Sequence, residues 1–462
     1  MITIKDKNIL LLGLGLHGGG VATARWLHKN GAKLIVSDLK DKESLSLSLD
    51  NLSKQKDISY VLGKHRERDV KWADIVVYNP GVPKESEYLN LARKLKKPIY
   101  NEASLFFDRC KARIIAVTGT RGKSTTAVLI ASMCKKKNSR TILAGNIKTS
   151  FMLDVLDRAK EEDLIVLELS SWQLEGLDVV KKAPHIAVVT NLHPDHLNRY
   201  KNLANYYCSK KEIFKHQKES HYIVLNDADK VVRDWQKEVC SRTLLFSKKD
   251  HKGIGSFVKK GKIIFRSEKS EEVVASVKDV ALEGEHNFKN ILAAVTASKI
   301  AGVKNSDIKK TLKEEFVLEG RQEKIADKNH IVFINDTTST TPIAGIAALD
   351  RFGNKKKNII LIAGGADNEL EYADWARQVK KYCKKVYLLE GSASRKMRSS
   401  LSGIRGLSDN HNDLGVLVQN ISEKADKGDI VLFSPAAASF NMWNHEFERG
   451  DSFNNAVENI QL

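Results

Sequence analysis

Disulfide frameworks and zinc sites are what this chain is least equipped to build. Its five cysteines (Cys110, Cys134, Cys208, Cys240 and Cys383) among 462 residues are odd in number, widely spaced and without a Cys-x-x-Cys pair, so they read as reduced thiols. Long hydrophobic runs are missing too, none approaching the roughly 18 residues that a membrane span needs. The opening MITIKDKNILLLG reads as a strand entering a fold instead of a signal peptide. A cytoplasmic protein with no membrane insertion is therefore expected. Aromatics are sparse at 7% and do not interleave with the lysine runs at residues 135–137, 355–357 and 384–385. The net charge of +19 thus lacks the pattern of a nucleic-acid surface. Solvated lysine faces and no nucleic-acid partner are expected, although a positive field still attracts polyanionic substrates.

What is present is an ordinary globular balance, 42% hydrophobic and 29% charged residues, which argues against disorder, and the length suits two or three domains. The most informative stretch is IIAVTGTRGKSTT at residues 114–126. An apolar run stops at Gly119, Thr120, Arg121 and Gly122, after which Lys123, Ser124 and Thr125 open a helix. Strand, glycine turn and helix start together point backbone N–H groups at an anion, with Lys123 as a point charge on phosphate oxygens and Ser124 or Thr125 as a Mg²⁺ ligand. A strict GxxxxGKS loop would need glycine where Val117 stands, so a shorter relative of that loop is expected.

Upstream, an apolar strand at residues 8–12 leads into GLGLHGGG, a helical segment and a second strand at residues 33–36 that ends at Asp38. Gly13, Gly15 and Gly18 with an acid about 20 residues later form the dinucleotide-binding pattern, a weak signal by itself. A strand at residues 73–77 runs into Asn79-Pro80-Gly81-Val82-Pro83, where open sheets bind ligands. A helix at residues 102–109 precedes the phosphate-loop strand and places a boundary near Lys111. Further strands are expected at residues 141–143, 164–169, 186–191 and 222–226, with short antiparallel strands in the polar stretch 248–269. Beyond Gly320, strands at residues 331–334, 358–363, 386–389 and 430–433 alternate with helices. The fold class is α/β with three domains: a Rossmann-like domain at residues 1–110, a P-loop-type ATPase domain with a mainly parallel sheet at 111–318, and a Rossmann-like domain at 319–462. KESLSLSLDNLSK at residues 42–54 reads as a polar loop or helix edge without an assigned role.

Two more strand ends carry chemistry. In DLIVLELSS, residues 163–171, the apolar run ends at Glu168, where a carboxylate beside a phosphate loop can hold Mg²⁺. Alone, such an acid is more often a solvated strand end. The next strand ends in TNLHPDHLNRY, with Asp195 and His196 just beyond it, in position for a second metal ligand.

In order along the chain, GTRGKSTT, ELSSWQLEG (168–176), HPDHLNRY (193–200), GEHNFKNILAA (284–294), Gly320-Arg321, NDTTSTTP (335–342), and SPAAASF with NHEFERG (434–450) resemble the signature segments of the Mur ligases. ELSSWQLE, GLGLHG and SPAAASF are most similar to the branch that adds D-glutamate. The resemblance covers essentially the whole chain. It implies an ATP-dependent amide ligase that adds D-glutamate to UDP-N-acetylmuramoyl-L-alanine through an acyl phosphate, in peptidoglycan precursor synthesis and hence cell-wall biogenesis and division. L-Glutamate on the same acceptor, or a folylpolyglutamate-type reaction, stays open within the family. An NAD-dependent oxidoreductase would rest on GLGLHG and Asp38 alone and leave GTRGKSTT unexplained. A nucleotide-binding regulatory protein is a further alternative.

By the same resemblance, residues 119–125 would cradle ATP, with Lys123, Lys210 and His196 as the catalytic set. Ser124 and Glu168 would bind one Mg²⁺ and His196 a second. Lys210, in YYCSKKEIF, would be carbamylated and would orient toward a metal; Lys211 makes the register uncertain, but Ile213 and Phe214 favour Lys210. Asn287 and Asn290 would meet the adenine end of ATP, Arg321 a phosphate and Asp336 the ribose. Leu14, Gly15, Leu16, His17, Asp38, Asn79, Pro80 and Gly81 would hold the uridine end of the acceptor, with Asn146 near its muramoyl part. Thr340, Ser439 and Phe440 would contact the amino acid, the last two near a helix start. A monomer acting on these small molecules is implied. Three departures stand out: Arg121 where the family commonly has Asn, Thr337 to Thr340 where a Ser-Lys-Ala-Thr run is common, and Asp367-Asn368 where Asp-Lys is common. The last two remove lysines that could pair with glutamate carboxylates.

Overall fold

Apolar strands with few polar breaks organise the chain into three sheets. The computed structural model describes residues 1–147, 150–195, 199–282, 284–314, 318–404, 406–439, 442–443 and 445–460. They fall into two compact units, one of residues 1–195 and 199–314, the other following residue 314. Among the described residues, no helix is long and apolar enough to cross a membrane.

The first unit holds two sheets. One has five parallel strands, β1 (Asn8–Leu12), β2 (Lys33–Asp38), β3 (Ile58–Leu62), β4 (Ile75–Tyr78) and β5 (Ile99–Asn101), in the order β3-β2-β1-β4-β5. The other has nine: β6 (Arg113–Thr118), β7 (Thr141–Gly145), β8 (Leu164–Glu168), β9 (Ile186–Val189), β10 (Tyr222–Asn226), β11 (Arg242–Phe246), β12 (Gly255–Lys259), β13 (Lys262–Arg266) and β14 (Glu271–Ser276). Their order is β14-β13-β12-β11-β10-β9-β6-β8-β7, parallel from β7 across to β12 and antiparallel through β13 and β14. Strands such as NILLL and IAVV are apolar on both faces, as parallel strands covered by helices must be. The two sheets share one hydrophobic cluster, in which Leu11 and Val36 of the first connect through Leu105, Phe106 and Phe107 to Ile114, Leu167 and Val189 of the second. That continuity explains why they form a single unit.

The second unit carries β15 (Glu323–Lys328), β16 (Ile331–Asn335), β17 (Ile359–Ala363), β18 (Cys383–Leu389), β19 (Leu407–His411) and β20 (Ile430–Phe433), in the order β15-β16-β20-β17-β18-β19 with β15 alone antiparallel. Alternation along β17 sends Ile359 and Leu361 into one core and Ile360 and Ile362 into the other, so helices cover both faces.

β1, β10, β20 and the helix Glu102–Arg109 lie where sequence places them. The strand expected from residue 73 begins at Ile75, because Ala73 N still closes the preceding helix on Asp69 O. The strand expected to reach Asn191 stops at Val189. Residues 46–50 of the biased patch form a short helix. β3, β5, β11, β14, β15 and β19 were not foreseen.

Candidate functional site

β6 ends at Thr118 and the helix Lys123–Lys137 begins after one turn. Gly119 (φ 143°) and Gly122 (φ 78°) occupy backbone that side chains resist, and a Cβ would strike Thr190 Oγ1 at the first and Asn290 Oδ1 at the second. The turn is pinned from the next strand end. Thr120 N donates to Asn191 O and Arg121 N to Asn191 Oδ1, both at 2.9 Å, while Arg121 O accepts from Thr190 Oγ1 at 2.6 Å and Asn191 Nδ2 at 3.0 Å. Gly122 brings no side-chain cap, so the helix start presents backbone N–H groups as an anion site. Lys123 Nζ folds back to Thr120 O at 3.0 Å, and Arg121 lies 3.5 Å from Asp195 Oδ2.

Glu168 closes β8 and is 1% exposed. Its Oε1 accepts from Asn146 Nδ2 at 3.3 Å, while Oε2 is buried without a hydrogen-bond partner among the described residues. An orphaned carboxylate oxygen beside a phosphate turn, with the Ser124 hydroxyl on the same turn, is a hard donor set that fits Mg²⁺. Lys210 is fully buried; its Nζ donates to Gly119 O at 2.9 Å and lies 4.9 Å from the centre of the Tyr206 ring. Burial, then the charges of Lys123 and Arg121 against those of Asp195 and Glu168, hold its ammonium well below the ordinary lysine range. Lys211 instead pairs with Glu238 at 2.6 Å. Asn287 and Asn290 are buried, the latter against Gly122. His196 and Phe440 lie outside the described residues.

At the other glycine turn, Asp38 Oδ2 accepts from Leu14 N at 2.8 Å and Gly15 N at 2.9 Å, and Oδ1 from Lys40 N at 2.9 Å. Asp38 therefore shapes the turn. Asn79 packs on Gly13 and Gly15, and its Oδ1 accepts from Gly81 N at 3.0 Å; Leu16, Pro80 and exposed His17 flank it. Two groups here were not foreseen: Ser48, whose hydroxyl donates to Gly15 O at 2.8 Å, and Arg199, whose guanidinium donates to Gly81 O and Val82 O. HPDHLNRY was the signal for Arg199.

In the second unit, Asp336 ends up buried beyond β16, accepting from Ser434 Oγ at 2.7 Å and Gln322 N at 3.2 Å; burial pushes its carboxyl up to about 7. Arg321 precedes Gln322 in the turn opened by Gly320. Buried Arg449 donates to Thr337 O at 2.6 Å, Thr337 Oγ1 at 3.2 Å and Ala437 O at 3.0 Å, tying the segment leading to Thr340 to the one leading to Ser439. Ser439 is not at a helix start: the helix that follows it is Glu446–Glu458, capped by His445. Ala366 and Ala438 form an antiparallel bridge, which sets Gly365 opposite Ser439 and Asp367 opposite Ala437, and Lys396 Nζ lies 2.6 Å from Asp367 Oδ2. A cation from the helix Ser392–Ser400 thus reaches Asp367 although residue 368 is Asn.

A glycine turn between a parallel strand and a helix, a lysine opening that helix, and a buried carboxylate with an unsatisfied oxygen on the adjacent strand define a nucleoside-triphosphate-binding α/β protein. Family models match along the chain: Mur ligase MurD-like, N-terminal domain at residues 7–101, Mur ligase middle domain at 117–298, and Mur ligase, glutamate ligase domain at 320–437. The chain is 36% identical over 476 residues to a protein of Roseiflexus sp. (strain RS-1) and 35% identical over 470 residues to one of Borreliella burgdorferi (strain ATCC 35210 / DSM 4680 / CIP 102532 / B31), covering 99% of each chain in both cases; both are named UDP-N-acetylmuramoylalanine--D-glutamate ligase. Among solved structures, UDP-N-acetylmuramate-alanine ligase MurC from Thermotoga maritima aligns with a TM-score of 0.64 at 21% identity, covering 99% of this chain and 100% of that one. MurF ligase from Thermotoga maritima in complex with ADP aligns with a TM-score of 0.57 at 20% identity, covering 98% and 96%. The chain belongs to the Mur ligase family, whose members are ATP-dependent ligases.

Proposed function

We propose that the chain joins D-glutamate to UDP-N-acetylmuramoyl-L-alanine, in the cytoplasm, as a monomer with domains at residues 1–110, 111–318 and 319–462. The observation that carries this reading is the convergence of Lys123, Glu168 and Lys210 on one phosphate turn, in a unit that holds a second glycine turn for the UDP end. Relatives over 99% of the chain bear the name of that reaction.

A carboxylate does not react with an amine, so it must first be activated. An acceptor carboxylate oxygen attacks the γ-phosphorus of ATP, the bond to the β–γ bridging oxygen breaks, and ADP leaves. The glutamate nitrogen then attacks the acyl carbon, the C–O bond to phosphate breaks, and the nitrogen loses a proton. Both reactants of the first step are anions. Lys123 and the N–H groups of its helix start lower their repulsion. Ser124 and Glu168, with His196, would hold two Mg²⁺ ions, which supply further neutralisation when bound. Lys210, whose hold on its proton burial weakens, adds its amine nitrogen to CO₂ and loses a proton, becoming a carbamate with two hard oxygens.

Asn287 and Asn290 take the adenine end, Arg321 a phosphate and Asp336 the ribose. The turns carrying Gly15, Asp38 and Asn79, with Asn146, take the UDP-linked acceptor, and Thr340 and Ser439, with Phe440, the amino acid. Phosphate release measured with UDP-muramoyl-L-alanine against D-glutamate, L-glutamate and other amino acids, and with folate acceptors, tests the reading. Turnover with D-glutamate alone supports it; turnover only with another pair replaces it.

A further inference from the structure

A single guanidinium joins three segments of the first unit. Arg199 Nη1 donates to Gly81 O at 3.1 Å and Nη2 to Val82 O at 3.2 Å. Its Nη2 also lies 3.8 Å from Glu175 Oε2, and its Cζ 4.5 Å from the centre of the Trp172 ring. Glu175 accepts from the Tyr200 hydroxyl at 2.9 Å and faces Lys84 Nζ at 3.9 Å. With side-chain exposures of 13% for Arg199 and 3% for Glu175, the cluster is withdrawn from water, where such bonds are worth more than at a surface.

The segments it joins have separate duties. Gly81 and Val82 form the turn after β4, against the glycine turn that Asp38 shapes. Trp172 and Glu175 follow Glu168 off the end of β8, and Arg199 follows Asp195. A planar fork suits two consecutive carbonyls in a way that one ammonium cannot. The turn therefore cannot drift from the β8 end without losing both bonds.

We propose that Arg199 is a positioning residue for the acceptor: it holds the turn at residues 79–82 against the segment leading from Glu168, and so sets how a UDP-linked acceptor on the glycine turn reaches toward the phosphate cradle. This rests on the reading that the glycine turn takes the UDP end. Orientation at this level matters because reacting atoms must meet within about 3 Å, and a small misplacement is expensive in rate.

The test is calorimetric titration of the full chain with UDP-muramoyl-L-alanine and, separately, a non-hydrolysable ATP analogue, beside steady-state kinetics. Arg199→Ala is expected to weaken acceptor binding and raise its KM about 10-fold and to lower kcat, with affinity for the ATP analogue kept within about twofold. Arg199→Lys, which can serve one carbonyl, restores part of the loss. Glu175→Gln keeps the shape and the Tyr200 bond but removes the charge facing Arg199, and shows the same pattern more weakly. If circular dichroism shows Arg199→Ala misfolded, the other two variants decide. Unchanged acceptor affinity and KM in folded variants, or equal loss for both nucleotides, overturns the inference. A wild-type chain that binds no acceptor, or binds it as well with Gly15→Val as without, overturns the functional reading, and the inference with it.

Discussion

Lys210 Nζ donates to the carbonyl of Gly119 at 2.9 Å, so the side chain of a distant helix reaches the first glycine of the phosphate turn. Its neighbour Lys211 points instead to Glu238. Burial weakens the hold of the Lys210 amine on its proton, and the free amine, not a solvated ammonium, is the form that reacts with CO₂. Lys210→Ala is expected to be nearly inactive and partly rescued by short-chain carboxylates, and Lys211→Ala to behave almost normally. Full activity of Lys210→Ala in CO₂-replete buffer refutes the carbamate.

Lys123 opens the helix at the cradle of the second sheet, whereas the turn shaped by Asp38 belongs to the first. Lys123→Ala should abolish ligation while leaving the affinity for UDP-muramoyl-L-alanine largely intact. Calorimetry on the inactive variant checks the second half; near-normal turnover would sink the phosphate assignment.

In the SPAAASF turn, Ser439 lies opposite Gly365 beside the antiparallel Ala366–Ala438 bridge. Ser439→Ala should raise the apparent KM for glutamate far more than that for ATP, because the turn is assigned to the amino acid alone. Equal effects on both would move Ser439 out of that role.

Arg449 satisfies two carbonyls and a hydroxyl inside the second unit, and removing it leaves buried acceptors without donors. Arg449→Ala should destabilise that unit by on the order of 3 kcal/mol, read as a shift of its denaturant midpoint. A stability unchanged within error would show that water replaces the guanidinium at no cost.

Glu102, in the shared core of the first unit, accepts from Met152 N at 3.0 Å, and burial pushes its carboxyl from 4.5 up to about 7. The folded chain therefore keeps a proton that the unfolded chain releases between those values, so stability falls as pH rises across that window and levels off above it. Glu102→Gln should flatten part of this slope and leave the chain more stable than wild type at pH 8. Asp336, raised to about 7 in the other unit, keeps a slope of the same sign, while half-buried histidines such as His65 and His193, lowered by burial, work in the opposite sense at the acid end. Denaturant midpoints at pH 5 and 8 decide, and an identical slope in both proteins would contradict the burial of a protonated Glu102.

Legibility followed burial and locality. β1, β10 and β20 are buried apolar runs and could be read directly. β3 and β5 border the first sheet and β15 and β19 the third; sequences such as EKIADK and LSDNH are half solvated, so their pairing leaves little hydrophobic pattern. β11 is internal and was missed all the same.

The cradle is written in adjacent residues, since a strand, two glycines at positive φ and Lys-Ser at a helix start are local requirements. The succession of apolar strands is legible in the same way. Packing alone settled that Lys210 is buried and Lys211 is not, that Glu168 keeps an oxygen without a hydrogen bond among the described residues, that Arg199 clasps the turn at Gly81, and that the described helix after Ser439 begins at Glu446. Each of these depends on which distant polar groups the packed sheets bring together, and no local pattern encodes that distance.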